Sequence, residues 1–129
     1  MTGIVLDASA LLALLKDEPG AAKVAEGLAD ARMSAVNHAE VVSHFIHAGM
    51  PPDLIDDMLR PLPLEILAAD KELADIAGRL RRVTADAGLS LGDRFCLALA
   101  LRDKAPAWTA DRQWAALGAA VGVAIVVVR

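Results

Sequence analysis

Gly3-Ile4-Val5-Leu6-Asp7-Ala8-Ser9-Ala10-Leu11-Leu12 changes character at one residue, and the fold is read from that change. Ile4, Val5 and Leu6 make a short unbroken apolar run, the pattern of a strand covered on both faces in a parallel sheet. The run stops at Asp7, and the composition then turns to the helix formers Ala and Leu. A carboxylate therefore stands where a central strand hands over to a helix, the end of an open α/β sheet at which ligands bind. The plain alternative for Asp7 is an N-cap, accepting from the free backbone N–H groups of the first helical turn.

Working outward, the strands expected are Ile4–Leu6, Met33–Val36, Leu64–Leu67, Pro106–Thr109 and Val123–Val128. Helices are expected from Ser9 to Lys16, Gly20 to Ala31, Asn37 to Ala48, Pro52 to Leu59, Asp70 to Ala87, Gly92 to Arg102 and Asp111 to Leu117. Asn37-His38-Ala39-Glu40 has the form of a capping box, as does Ser90-Leu91-Gly92-Asp93. The helix after Ser90 is apolar almost all round and belongs in the interior. Alternating strands and helices imply the α/β class, with a mainly parallel sheet covered on both faces. The 129 residues suit one domain, 1–129, with no repeat or linker.

Composition narrows the function. The chain is 56% hydrophobic yet only 3% aromatic, with no tyrosine, so the core is aliphatic and base-stacking platforms are scarce. A net charge of −4 gives little overall attraction for a polyanion, so nucleic acid would have to be met through divalent cations or a partner's basic surface. The single cysteine, Cys96, excludes an internal disulfide and a thiolate zinc site. With neither a leader pattern nor an apolar run long enough to span a bilayer, the expected location is the cytoplasm.

Four carboxylates follow strands or open helices: Asp7, Glu40, Asp93 and Asp111. Each has a local explanation as a cap or a capping-box partner. In a parallel sheet, however, those positions share one edge, where converging acids either give up ionisation or take a cation. Oxygen donors without cysteine or a histidine cluster favour Mg²⁺ or Mn²⁺. Such a site activates water against a phosphodiester. Ser9 and Thr109, two residues from Asp7 and Asp111, could orient a carboxylate or a metal-bound water, or could simply cap a helix and end a strand.

These residues resemble the PIN domain, in particular the VapC-type ribonuclease toxins of bacterial toxin–antitoxin pairs. The resemblance runs through Ile4 to Leu12, Glu18-Pro19-Gly20, Asn37-His38-Ala39-Glu40-Val41, Leu89 to Asp93, and Thr109-Ala110-Asp111-Arg112-Gln113-Trp114. It implies a three-layer α/β/α sandwich around a five-stranded parallel sheet, and Mg²⁺- or Mn²⁺-dependent endonucleolytic cleavage of RNA. It also implies a small cognate antitoxin as partner and a homodimer. Asp7, Glu40, Asp93 and Asp111 match the family's acidic quartet, with Asp7 and Asp93 as the firmest metal ligands and Asp111 more peripheral. Trp108 stands where a smaller aliphatic residue is expected.

Arg94 and Arg112 each follow an acid of the quartet and are candidates for RNA phosphates, or else solvent-facing arginines. His38, His44 and His47 read as partly exposed helical residues. The apolar side chains of Leu11 to Leu15 and Leu54 to Leu59 are in surplus, as in a partner surface. Two rival readings are a PIN-fold binding module without catalysis and a haloacid-dehalogenase-like phosphatase. The phosphatase would use Asp7 as nucleophile, with a second acid two residues on, where this chain has Ser9.

Overall fold

The computed structural model describes residues 3–129. The apolar run forms β1 (Ile4–Leu6), buried along its whole length, and Asp7 leads straight into α1 (Ala8–Leu15). Next come α2 (Ala21–Gly27), a 3₁₀ turn at Leu28–Asp30, β2 (Ala31–Ser34), α3 (Ala35–His47), α4 (Pro52–Leu59) and β3 (Glu65–Leu67). The chain continues through α5 (Lys71–Arg79), α6 (Arg81–Thr84), a 3₁₀ turn at Ala85–Ala87, and the buried helix α7 (Leu91–Asp103). It ends with β4 (Ala107–Thr109), a 3₁₀ turn at Arg112–Ala116, α8 (Gly118–Val121) and β5 (Ile125–Val127).

All five strands are parallel, in the order β3-β2-β1-β4-β5. Successive residues of β1 point to opposite faces. Val5 packs with Leu73, Cys96, Leu97, Ala107 and Trp114 on one side; Ile4 and Leu6 pack with Leu11, Val24, Met33, Val41 and Ile55 on the other. The result is the expected three-layer α/β/α sandwich. The chain leaves β1 toward β2 and β3, then returns to β1's other side as β4. The order of strands therefore reverses between β1 and β4, and a crevice opens at their carboxyl ends. Asp7 follows one of these strands and Thr109 closes the other.

Besides the helix expected over 111–117, which is a 3₁₀ turn at Arg112–Ala116, three expectations shift. The second strand comes two residues early, because Ser34 rather than Asn37 caps α3: the Ser34 hydroxyl accepts from Asn37 N at 3.2 Å. Glu40 consequently lies in the second turn of α3, and its local explanation as a capping-box acid is lost. The long helix expected over 70–87 breaks after Arg79. There the Leu80 carbonyl is shared by the backbone N–H groups of Val83 and Thr84 and by the Thr84 hydroxyl, at 2.7 Å. Third, the helix expected over 20–31 is only α2, because Leu28–Asp30 tightens into a 3₁₀ turn and Ala31 already pairs in the sheet.

Glycines make two close approaches possible. Trp108 fits in β4 because Gly27 has no Cβ; one added there would stand 3.0 Å from the indole and closer still to Ile4. Lys23 then lies over the Trp108 ring at 5.1 Å, a cation–π contact. Gly20 enters α2 with φ at 101°, and a Cβ there would lie 2.8 Å from the Val128 carbonyl oxygen. Gly20→Ala is expected to cost about 1–3 kcal/mol in a urea titration, from the strained φ and the backbone contact together.

Candidate metal centre

Asp7 is 4% exposed, and every oxygen of its carboxylate is occupied. Ala10 N donates to Oδ1 at 2.8 Å, the N-cap bond of α1. The Thr109 hydroxyl donates to Oδ2 at 2.6 Å, and the Ser9 hydroxyl lies 2.8 and 2.9 Å from the two oxygens. Ser9 also accepts from Ala110 N and Thr109 from Asp111 N, so both hydroxyls are fixed by backbone from β4's exit. The phosphatase reading needs an acid where Ser9 makes these bonds. Burial pushes the Asp7 carboxyl up from 3.8 to about 6, with a small addition from Asp93, against the opposing hydrogen bonds from Thr109, Ala10 and Ser9. Among the described residues, no lysine or arginine is paired with this buried acid.

Asp93 sits in the first turn of α7 and completes a capping box with Ser90: its Oδ2 accepts from Ser90 N at 2.9 Å, and Ser90 Oγ accepts from Asp93 N at 3.1 Å. Glu40 reaches the same place from α3. Its carboxylate lies against Gly92, where any added Cβ would overlap it, and Oε1 accepts from Asn37 Nδ2 at 2.8 Å. Beneath them is Cys96, fully buried one turn into α7. Its thiol is held well above the ordinary range, first by burial and then by the negative charges of Asp7, Asp93 and Glu40. Asp7, Asp93 and Glu40 thus all bring their charge to bear on Cys96, and the protonated Cys96 is packing rather than a ligand.

The fourth acid stands apart. Asp111 is exposed, caps the 3₁₀ turn through Gln113 N at 2.9 Å, and joins Asp7 only through Thr109. It borders a groove of about 630 Å³ lined among others by Ser9, Lys16, Glu18, Arg112 and Arg129. Arg112 is exposed there. Arg94 behaves otherwise than expected: only 9% exposed, it donates from Nη1 to the Leu89 carbonyl at 3.1 Å, and its Nε has no partner among the described residues. It follows Asp93 on a helix whose next turn, Leu97 and Ala98, is all core, and the Arg94 side chain is largely buried with it rather than solvent-facing.

In these rotamers the acids do not form a closed cage: among the described residues, no three His, Cys, Asp or Glu side chains are grouped to hold a metal ion. The histidines are not grouped either; His44 stacks edge-on with Phe45. The donor set nevertheless suits a hard cation of the Mg²⁺ kind, which keeps several waters and takes only one or two carboxylates. Asp7 and Asp93 are a pair of that kind, one of them buried at a raised pKa that a cation would relieve.

Among curated proteins, no sequence matches. Solved structures do. The toxin–antitoxin complex from Klebsiella pneumoniae has a chain 17% identical, with a TM-score of 0.74 and coverage of 98% of both chains. FitAcB from Neisseria gonorrhoeae is 20% identical, with a TM-score of 0.70 and 95% of each chain covered. VapBC-5 from Mycobacterium tuberculosis, a member of the VapBC family of toxin–antitoxin systems, is 26% identical, with a TM-score of 0.65 and 98% of each chain covered. The family model for the PIN domain matches residues 4–120, nearly the whole sequence, and with the sheet order and switch-point acids described above it establishes that this chain belongs to the PIN domain family.

Proposed function

We propose that this protein is a metal-dependent endoribonuclease, the VapC-type toxin of a toxin–antitoxin pair. The observation that carries the reading is Asp7: a carboxylate buried at the β1–β4 switch point, with no lysine or arginine partner among the described residues and within electrostatic reach of Asp93. Asp7 and Asp93 would hold Mg²⁺ or Mn²⁺, Glu40 would hold it directly or through a bound water, and Asp111 stands at the rim; Ser9 and Thr109 keep the Asp7 oxygens in place. When bound, the ion supplies Lewis acidity and charge neutralisation for water attack on a phosphodiester. Glu40, exposed and with Oε1 fixed by Asn37, can take a proton from that water at Oε2. Arg112 borders the groove along which an RNA backbone would approach.

The partners follow from the same reading. Two of the relatives named above, those from Klebsiella pneumoniae and Mycobacterium tuberculosis, come from toxin–antitoxin systems, and a small antitoxin is the expected partner here. Leu54 at 55% exposure, with partly exposed Leu12, Leu15, Met58 and Leu59, offers apolar surface on α1 and α4 for an antitoxin helix or a second copy. A homodimer predicts twice the monomer mass in sedimentation at micromolar concentration without antitoxin; a monomer there removes the dimer. No helix among the described residues is long and apolar enough to cross a membrane.

The test is cleavage of RNA by purified protein freed of antitoxin, in Mg²⁺ or Mn²⁺ and in EDTA. Asp93→Asn is expected to abolish cleavage with the circular dichroism spectrum unchanged. Full activity in both Asp93→Asn and Asp7→Asn ends the proposal. One observation favours a second reading, a PIN fold that binds without cutting: each acid already has local hydrogen bonds, and among the described residues no three-ligand group stands ready. Mn²⁺ binding with no cut in any RNA would select it.

A further inference from the structure

We propose that Asn37 is a positioning residue: a buried amide that fixes Glu40 against α7, with Gly92 providing the surface the carboxylate rests on. Asn37 is 1% exposed, and each polar atom of its side chain is bonded. One Nδ2 hydrogen goes to Glu40 Oε1 at 2.8 Å and the other to the Gly92 carbonyl at 2.9 Å, while Oδ1 accepts from the Ser34 hydroxyl at 2.9 Å. Two acceptors on one side and a donor on the other leave a single orientation of the amide. Aspartate would turn an acceptor toward both the Glu40 carboxylate and the Gly92 carbonyl; leucine would take away the donor to each of them and the acceptor of the Ser34 hydroxyl. The residue thus ties the β2–α3 junction, through Ser34, to the first turn of α7, through Gly92.

Glu40 is exposed, and a long exposed carboxylate samples many rotamers unless something holds it. Asn37 holds one oxygen, and the missing Cβ of Gly92 lets the carboxylate lie on the backbone next to Asp93. The inference rests on the metal-site reading and concerns only how Glu40 is held within it. By analogy with other supporting groups around a metal, loss of the clamp costs about tenfold in affinity or turnover.

The test is a double-mutant cycle read by Mn²⁺ calorimetry and by kcat and KM for RNA cleavage. Asn37→Ala is expected to weaken Mn²⁺ binding and lower kcat about tenfold, with KM nearly unchanged. In a Glu40→Ala background the same substitution should change neither. A loss that persists in that background means Asn37 acts through the fold and overturns the proposal, as does wild-type affinity and kcat in Asn37→Ala. Gly92→Ala serves where Asn37→Ala folds poorly, since its clash is with the movable end of Glu40. It should weaken Mn²⁺ binding alone and be neutral or stabilising once Glu40 is alanine; equal effects in both backgrounds reject the clamp. Wild-type protein that binds no Mn²⁺ would overturn the metal reading itself, whereas wild-type binding with unaffected variants removes the clamp alone.

Discussion

Asp7→Asn is expected to remove RNA cleavage and, in EDTA at pH 8, to make the protein more stable than wild type by up to about 3 kcal/mol. The Asp7 carboxyl titrates near 6 in the folded chain against an ordinary 3.8. Between those values the folded state holds a proton that the unfolded chain has released. The favourable contribution is therefore complete below about pH 4 and is lost as pH rises through 6, where the fold must bury a charge. At about 1.4 kcal/mol per tenfold change in acidity, that is about 3 kcal/mol. Asparagine keeps an oxygen for Ala10 N and can turn its amide toward the Thr109 and Ser9 hydroxyls, which accept as readily as they donate. The thermal midpoint at pH 8 should rise by about 5–10 °C, and the advantage should vanish at pH 4. An Asn variant less stable than wild type at both pH values would show that Asp7 is a cap and no more.

The same residue shows how far the sequence alone could be followed. Asp7 and Asp93 were legible because the strand–helix alternation fixes which ends of which elements share an edge, whatever the boundaries. The unbroken aliphatic run of β1 announced a central strand. The equally aliphatic run at β5 is an edge strand, partly exposed, since hydrophobicity does not report a strand's place in the sheet. Ser34 and Asn37 are both good N-caps, and only packing chose Ser34. That choice freed Asn37 to bond Glu40 three residues on, a pairing visible in the sequence as a same-face i, i+3 relation but explained there as a cap. Arg94 differs for the converse reason: its neighbour Asp93 points to the site, whereas its helical partners Leu97 and Ala98 place it toward the core.

Mn²⁺ affinity should fall about tenfold between pH 7.5 and pH 5, on the Asp7 proton alone. Binding needs the ionised carboxylate, so below a pKa of about 6 each further unit of acidity weakens the ion about tenfold. Calorimetry at constant ionic strength should show one proton released per ion near pH 5 and almost none at pH 8. Saturating Mn²⁺ should also restore stability that buried charge removes, raising the wild-type midpoint more at pH 8 than at pH 5, because the ion competes only with water at the higher pH and with a proton at the lower. Asp7→Asn has no such proton to displace, so whatever weak binding survives through Asp93 should be insensitive to pH across 5–7.5. Wild-type affinity that is flat over this range would place the ion away from Asp7, and with it the chemistry assigned to the β1–β4 crevice.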